Sequence, residues 1–147
     1  VVAYNDARKI AMAQRVVAAM GDDVTGSRIA VLGLAFKPET DDMRDSPSLN
    51  IIPSLVAAGA SIIAYDPKSM GEAQKLLPDE VIYQESALAC IAGSDAVVII
   101  TEWNEFRALT PQQFVETMVG NTMIDLRNLY DPEQMISAGL SYHSIGR

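Results

Sequence analysis

Two cations in an otherwise acidic stretch, Lys37 and Arg44, offer the first chemistry that can be read from the chain. They lie in Gly33-Leu34-Ala35-Phe36-Lys37-Pro38-Glu39-Thr40-Asp41-Asp42-Met43-Arg44-Asp45-Ser46-Pro47. Pro38 biases the residue before it toward an extended backbone, which holds the Lys37 ammonium clear of the chain as a point charge suited to a phosphate. Arg44 carries a planar fork that fits two oxygens of a pyrophosphate or carboxylate. Glu39, Asp41, Asp42 and Asp45 make the stretch net negative. A second reading therefore stands beside the first, in which the cations pair with these carboxylates in a solvated turn. In a third, the aspartates orient the cations or accept hydrogen bonds from ribose or sugar hydroxyls. Spacing leaves all three open.

A phosphate cradle built from backbone is not expected. A dinucleotide-binding turn places three glycines between strand and helix so that a pyrophosphate can approach the helix N-terminus. Only Gly33 is present here. The loop also runs for about a dozen residues, where strand-to-helix connections usually take about 2–6, and loops of that length are commonly functional.

Such a loop needs a sheet edge to stand on. The apolar run Arg28-Ile29-Ala30-Val31-Leu32 before it reads as a strand. The segment after it reads as a helix, with Ser46 as N-cap and Pro47 in the first helical position. Pro53 inside that helix predicts a bend near Leu49–Pro53, because an interior proline removes a hydrogen bond. From Arg28 onward, β-rich runs at 28–34, 61–65, 81–84, 96–101, 122–126 and 140–145 alternate with helical stretches. The pattern predicts an α/β fold, a Rossmann-like doubly wound parallel sheet of about six strands. One long N-terminal helix precedes it, with an apolar stripe of Ala3, Ala7, Ile10, Ala13, Val17 and Met20 that stops at Gly21. The expected division is 1–22 as the end of a preceding unit and 23–147 as a ligand-binding domain. The opening Val1-Val2-Ala3-Tyr4, already in helical pattern, suits a piece of a longer protein. In a parallel sheet the loops that follow the strands share the carboxyl edge, where open α/β domains bind ligands. Lys37, Arg44, Thr101-Glu102-Trp103 and Arg127 fall along that edge.

Other reactive side chains have plainer readings. Cys90 lies in the apolar Ala87-Leu88-Ala89-Cys90-Ile91-Ala92 and reads as a small core residue. His143 stands on a terminal strand without acid or cysteine at ligand spacing, so neither a metal site nor a triad is expected. Asp66 ends the second strand about 33 residues after Gly33, beyond the roughly 20 of a ribose-binding acid, and a turn or cap role fits it better. Trp103 reads as an aromatic lid on the core. Asp125, two residues before Arg127, is placed to pair with it.

With 147 residues, 49% of them hydrophobic and 20% charged, the chain is sized for a single core. No run approaches the roughly 18 apolar residues of a membrane span. A net charge of −8 disfavours nucleic acid and anionic lipid as partners. One cysteine and no visible leader fit a cytoplasmic setting.

The string Gly-Leu-Ala-Phe-Lys, two further residues, then Thr-Asp-Asp-Met-Arg-Asp-Ser-Pro resembles the signature of the C-terminal domain of the UDP-glucose/GDP-mannose dehydrogenase family. Tyr65-Asp66-Pro67, the run from Asp95 to Trp103, Phe106 and Ile124-Asp125-Leu126-Arg127-Asn128 fall in the order and spacing that the family shows. Residues 1–20 resemble the last helix of its central domain.

The resemblance implies an enzyme that oxidises a nucleotide-sugar alcohol to a carboxylate, using NAD twice and passing through a thioester on a cysteine. The family's catalytic cysteine lies in its central domain and its NAD fingerprint in its N-terminal domain. Neither motif occurs in this sequence, so no catalytic residue is expected in this chain and the piece alone is expected to be inert. Its implied role is to bind the UDP portion of a UDP-sugar. A GDP-mannose or UDP-N-acetyl-sugar dehydrogenase of the same family is the alternative. By the same resemblance, Phe36 and Lys37 contact the nucleotide sugar, with Lys37 as the anion contact, and Arg127 reaches it from another strand. Arg44 leans toward NAD held by a domain outside this sequence. A homodimer or larger homo-oligomer is implied as well. A regulatory module of receiver type fits poorly, because the places for its acceptor aspartate and its lysine hold Gln84-Glu85 and Leu126-Arg127. A plain binding domain for another nucleotide stays open.

Overall fold

The computed structural model describes residues 2–144. In chain order the elements are α1 (Val2–Ala19), β1 (Arg28–Leu32), α2 (Ser48–Ala57), β2 (Ser61–Tyr65), α3 (Met70–Leu76), β3 (Ile82–Tyr83), α4 (Ala87–Ile91), β4 (Ala96–Ile99), α5 (Asn104–Arg107), α6 (Pro111–Thr117), β5 (Thr122–Asp125), α7 (Pro132–Ser137) and β6 (Ser141–Ser144). The strands form one six-stranded sheet in the order β3-β2-β1-β4-β5-β6, and every neighbouring pair is parallel.

Because strand side chains alternate, each strand feeds two cores. On one face Ile29, Val31, Ile62, Ala64, Val98 and Ile124 pack with Ala13 and Val16 of α1 and with Ile51, Ile52 and Leu55 of α2. On the other, Ala30, Leu32, Ile63, Val97, Ile99 and Met123 pack with Cys90 and Ile91 of α4, Phe106 of α5, Phe114 of α6 and Met135 of α7. The unbroken apolar runs of β1 and β4 follow from this burial on both faces.

The chain builds outward from β1 through β2 to β3, then crosses to β4 and builds outward the other way. The order therefore reverses between β1 and β4, and ligands of open α/β sheets bind at such a switch point. Register aligns the exits. Leu32 pairs with Tyr65 and Ile99, Ile99 with Asp125, and Asp125 with Ser144. Gly33, Asp66, Ile100 and Leu126 thus leave the sheet at one level.

The elements are shorter than their sequence patterns. β1 ends at Leu32 because Gly33 adopts φ +92, and a Cβ there would stand 2.5 Å from Thr101 Cβ and 2.6 Å from its backbone nitrogen. Gly33→Ala combines backbone strain with a clash against the neighbouring loop, for an expected cost of ~2–5 kcal/mol. A melting temperature equal to wild type would contradict this close approach. α2 starts at Ser48, so Pro47 holds the N-cap position and Ser46, expected there, stands one residue before it. The Ser46 oxygen accepts the Ser48 amide at 3.2 Å, while its own proton goes to Leu34 O at 2.5 Å. Pro53 lies within α2, which continues to Ala57. In α1, Val16 joins Ala13 as a buried residue and Val17 is partly buried, as is Met20 just past the helix. Ala3, Ala7 and Ile10 lie outside the residues whose side chains are described, as do Ile145 to Arg147.

Candidate functional site at the carboxyl edge

The long loop after β1 is fixed at its root by buried hydrogen bonds. Asp66, which follows β2, is fully buried. Its Oδ2 accepts from the amides of Leu34 at 2.7 Å and Ala35 at 3.2 Å and from the Trp103 indole at 3.3 Å. Its Oδ1 accepts from the amides of Lys68 and Ser69, both at 2.9 Å. A buried carboxylate is tolerated only when its lone pairs are met in this way. One side chain thereby ties together the loops after β1, β2 and β4. Asp66 takes the turn role that its spacing suggested and extends it across three strands. Trp103 is buried as expected, with its polar edge spent on this carboxylate. The buried Thr101 hydroxyl donates to Ala35 O at 2.7 Å, and the hydroxyls of Ser46 and Ser48 both donate to Leu34 O, the latter at 2.7 Å.

Beyond this root the loop turns outward. Phe36 is 47% exposed, a high value for a phenylalanine, although its amide is fixed to Asp42 O at 3.1 Å. Lys37 beside it is exposed. Among the described residues no ion pair engages Lys37. Arg44 behaves differently. Its Nε and Nη2 grip the two Asp42 oxygens at 3.1 and 3.0 Å, and its side chain is 89% exposed. The guanidinium and the Arg44 amide hold the Asp42 carboxyl below its usual range. Close ion pairing in a solvated turn thus describes Arg44, whereas Lys37 acts on Asp42 only through space. A groove of about 710 Å³ runs between Thr40–Arg44 and Leu49, Glu72 and Leu76. Asp41, Asp42 and Glu72 outnumber Arg44 there, which disfavours a phosphate.

At the end of β5 the local pairing expected between the Asp125 and Arg127 side chains is not formed. Asp125 is fully buried. It accepts the Arg127 amide at 3.0 Å through Oδ1, and the amides of Leu129 and Tyr130 at 2.7 and 3.0 Å through Oδ2. The Tyr142 hydroxyl adds a further bond at 2.6 Å. The Arg127 side chain turns to the neighbouring strand, where its Nε donates to Glu102 Oε2. Phe36, Lys37, Arg44, Glu102 and Arg127 therefore all arise from loops at the carboxyl ends of β1, β4 and β5.

The remaining candidates fall away from this edge or from reactivity. Cys90 is buried in the second core, its thiol donates to Ile63 O at 3.3 Å, and burial pushes it up to about 12. His143 shares a hydrogen bond with Ser141 on β6. Among the described residues there is no cluster of metal-ligating side chains, and no helix is long and apolar enough to cross a membrane.

Comparison with known proteins adds identity to this geometry. The profile of the UDP-glucose/GDP-mannose dehydrogenase family, UDP binding domain, matches residues 30–132. The chain is 49% identical over 99% of its length to a UDP-glucose 6-dehydrogenase of Rhizobium meliloti, of which it covers 33%. It also resembles the solved structure of a UDP-glucose dehydrogenase from the archaeon Pyrobaculum islandicum, with 27% identity, a TM-score of 0.73, and coverage of 92% of this chain and 29% of that one. A UDP-D-ManNAc dehydrogenase from Pyrococcus horikoshii gives 26% identity and a TM-score of 0.73, over 97% of this chain and 31% of that one. The chain spans about a third of the length of the curated relatives it matches.

Proposed function

The chain belongs to the UDP-glucose/GDP-mannose dehydrogenase family, and from that premise we propose that it serves as the UDP-sugar-binding domain of an NAD-dependent UDP-glucose 6-dehydrogenase. The observation that carries this reading is the state of Lys37: an exposed ammonium on a loop with a rigid root, at the switch point of the sheet, without an ion pair among the described residues. Holding an anion is what such a group can do. Phe36 next to it supplies an apolar face for the ribose or sugar, and Arg127 supplies a second cation from the β5 loop.

The contribution to the reaction is positional. Binding energy from the nucleotide, remote from the reacting carbon, holds the sugar C6 against a nucleophile and an NAD supplied by other segments of the full-length protein. The chain's own residues bind and orient the substrate and carry no chemical step. Arg44 is read as the group that faces NAD. Its pair with Asp42 is screened by water and its side chain is 89% exposed, so the guanidinium can turn out of the acidic groove toward an anion held by another domain. On this reading residues 1–22 end the preceding domain and 23–147 form the nucleotide-sugar domain of a cytoplasmic homo-oligomeric enzyme. UDP-glucose is favoured over a UDP-N-acetyl sugar because the 49% identity is to a UDP-glucose 6-dehydrogenase.

Hydrogen exchange of the full-length protein with and without UDP-glucose tests this placement. The expected result is new protection confined to residues 33–47, 100–103 and 125–128. Protection centred on α4 and α6 instead would remove the carboxyl edge as the site.

A further inference from the structure

We propose that Glu102 is a positioning residue for Arg127. Its carboxylate occupies the Nε of the guanidinium and fixes the plane of the fork, so that the terminal nitrogens are offered to the anionic ligand. This rests on the reading of Arg127 as a ligand contact and adds what makes that contact competent.

Both ends of the pair stand on rigid roots. Arg127 is fixed through its amide by the buried Asp125, which also takes the amides of Leu129 and Tyr130 and is braced by Tyr142. Asn128, at φ +53, turns the chain between those bonds. Glu102 lies between Thr101, held to Ala35 O, and Trp103, held to Asp66. Its side chain is 22% exposed, against 38% for Arg127. The Glu102–Arg127 bond therefore joins the β5 loop to the β4 loop, and the Thr101–Ala35 bond continues the connection to the residue that precedes Phe36 and Lys37. An arginine side chain free in water has many rotamers to lose on binding. One already held by a partner loses fewer, and the planar fork makes a single bond at Nε enough to set its direction.

Glu102 does not act by supplying charge, since a carboxylate beside Arg127 subtracts from its attraction for an anion. Orientation is the remaining benefit. That separates glutamine from alanine at this position. A glutamine would keep an oxygen that accepts from Nε without the negative charge, and alanine would keep neither.

The test measures UDP-glucose KM and kcat in the full-length protein for Glu102→Ala, Glu102→Gln, Arg127→Ala and the double alanine variant. Arg127→Ala is expected to raise KM by about 10- to 150-fold, the range for a charge-assisted contact. Glu102→Ala should raise KM by about 5- to 20-fold with kcat within about twofold, as loss of positioning in a binding group predicts. Glu102→Gln should stay within about threefold of wild type because the Nε bond survives. The double variant should be no worse than Arg127→Ala alone. If Arg127→Ala is impaired while Glu102→Ala matches wild type or binds more tightly, the positioning role is wrong and the ligand role of Arg127 stands. Additive effects in the double variant would likewise overturn it. Arg127→Ala equal to wild type would instead remove the underlying reading.

Discussion

Replacing Asp66 by alanine is expected to destabilise this domain by at least ~3–5 kcal/mol, an upper-range effect for a single substitution. The carboxylate is fully buried and accepts from five donors: the amides of Leu34, Ala35, Lys68 and Ser69 and the Trp103 indole. Each buried donor left without a partner costs ~1–3 kcal/mol, and entry of water into the space recovers part of the sum. At roughly 2–4 °C per kcal/mol for a chain of this size, the melting temperature should fall by ~6–20 °C. Asp66→Asn should also destabilise. Both carboxylate oxygens accept at least two hydrogen bonds, so an amide nitrogen in either place would face donors. Asp42→Ala is the contrast, since that carboxylate belongs to an exposed pair and its loss should leave melting nearly unchanged. Thermal melts followed by circular dichroism compare the three. An Asp66→Asn variant that melts with wild type would contradict the anchoring role.

The second large effect is on binding. Lys37→Ala should weaken UDP-sugar affinity by about 10- to 150-fold, the loss of a charge-assisted contact of roughly 1.5–3 kcal/mol. Stability should be unaffected, because Lys37 is exposed and makes no ion pair among the described residues. Lys37→Arg should restore attraction only in part, since a planar fork does not reproduce a compact ammonium at the same reach. The chain's charge of −8 sharpens the expectation. In a protein that repels anions overall, binding depends on a few local cations, and raising salt should weaken wild-type binding more than that of Lys37→Ala.

The sheet was legible because strands buried on both faces must be apolar throughout. Ile29 to Leu32 and Ala96 to Ile99 carry that requirement in their composition, and the helical stretches between the runs imply parallel crossovers. Placement of Lys37, Arg44 and Arg127 at one edge follows from strand direction alone. Partners were harder to read. The donors to Asp66 from Leu34 and Trp103 lie 32 and 37 residues away, and the Arg127 side chain meets Glu102 across 25 residues. No local pattern signals such pairings, which arise from register between strands. Sequence proximity favoured Asp125 as the partner of the Arg127 side chain, yet the two-residue spacing instead lets Asp125 close a turn on the Arg127 amide. Ser46 shows the same limit, since it read as the N-cap of α2, whereas it precedes the N-cap Pro47 and spends its hydroxyl on Leu34 O, twelve residues back. The ligand itself entered through the likeness of the loop to a family signature. The bare charge pattern of that loop left phosphate binding and internal pairing open, and the structure shows internal pairing for Arg44.

Calorimetric titration of UDP into the full-length protein and its Lys37→Ala variant reads the anion contact itself, because the nucleotide alone isolates this domain's contribution from sugar and NAD. Wild type should bind saturably and the variant at least about tenfold more weakly, with equal melting temperatures. Equal affinity of the two proteins for UDP would remove Lys37 from the nucleotide site.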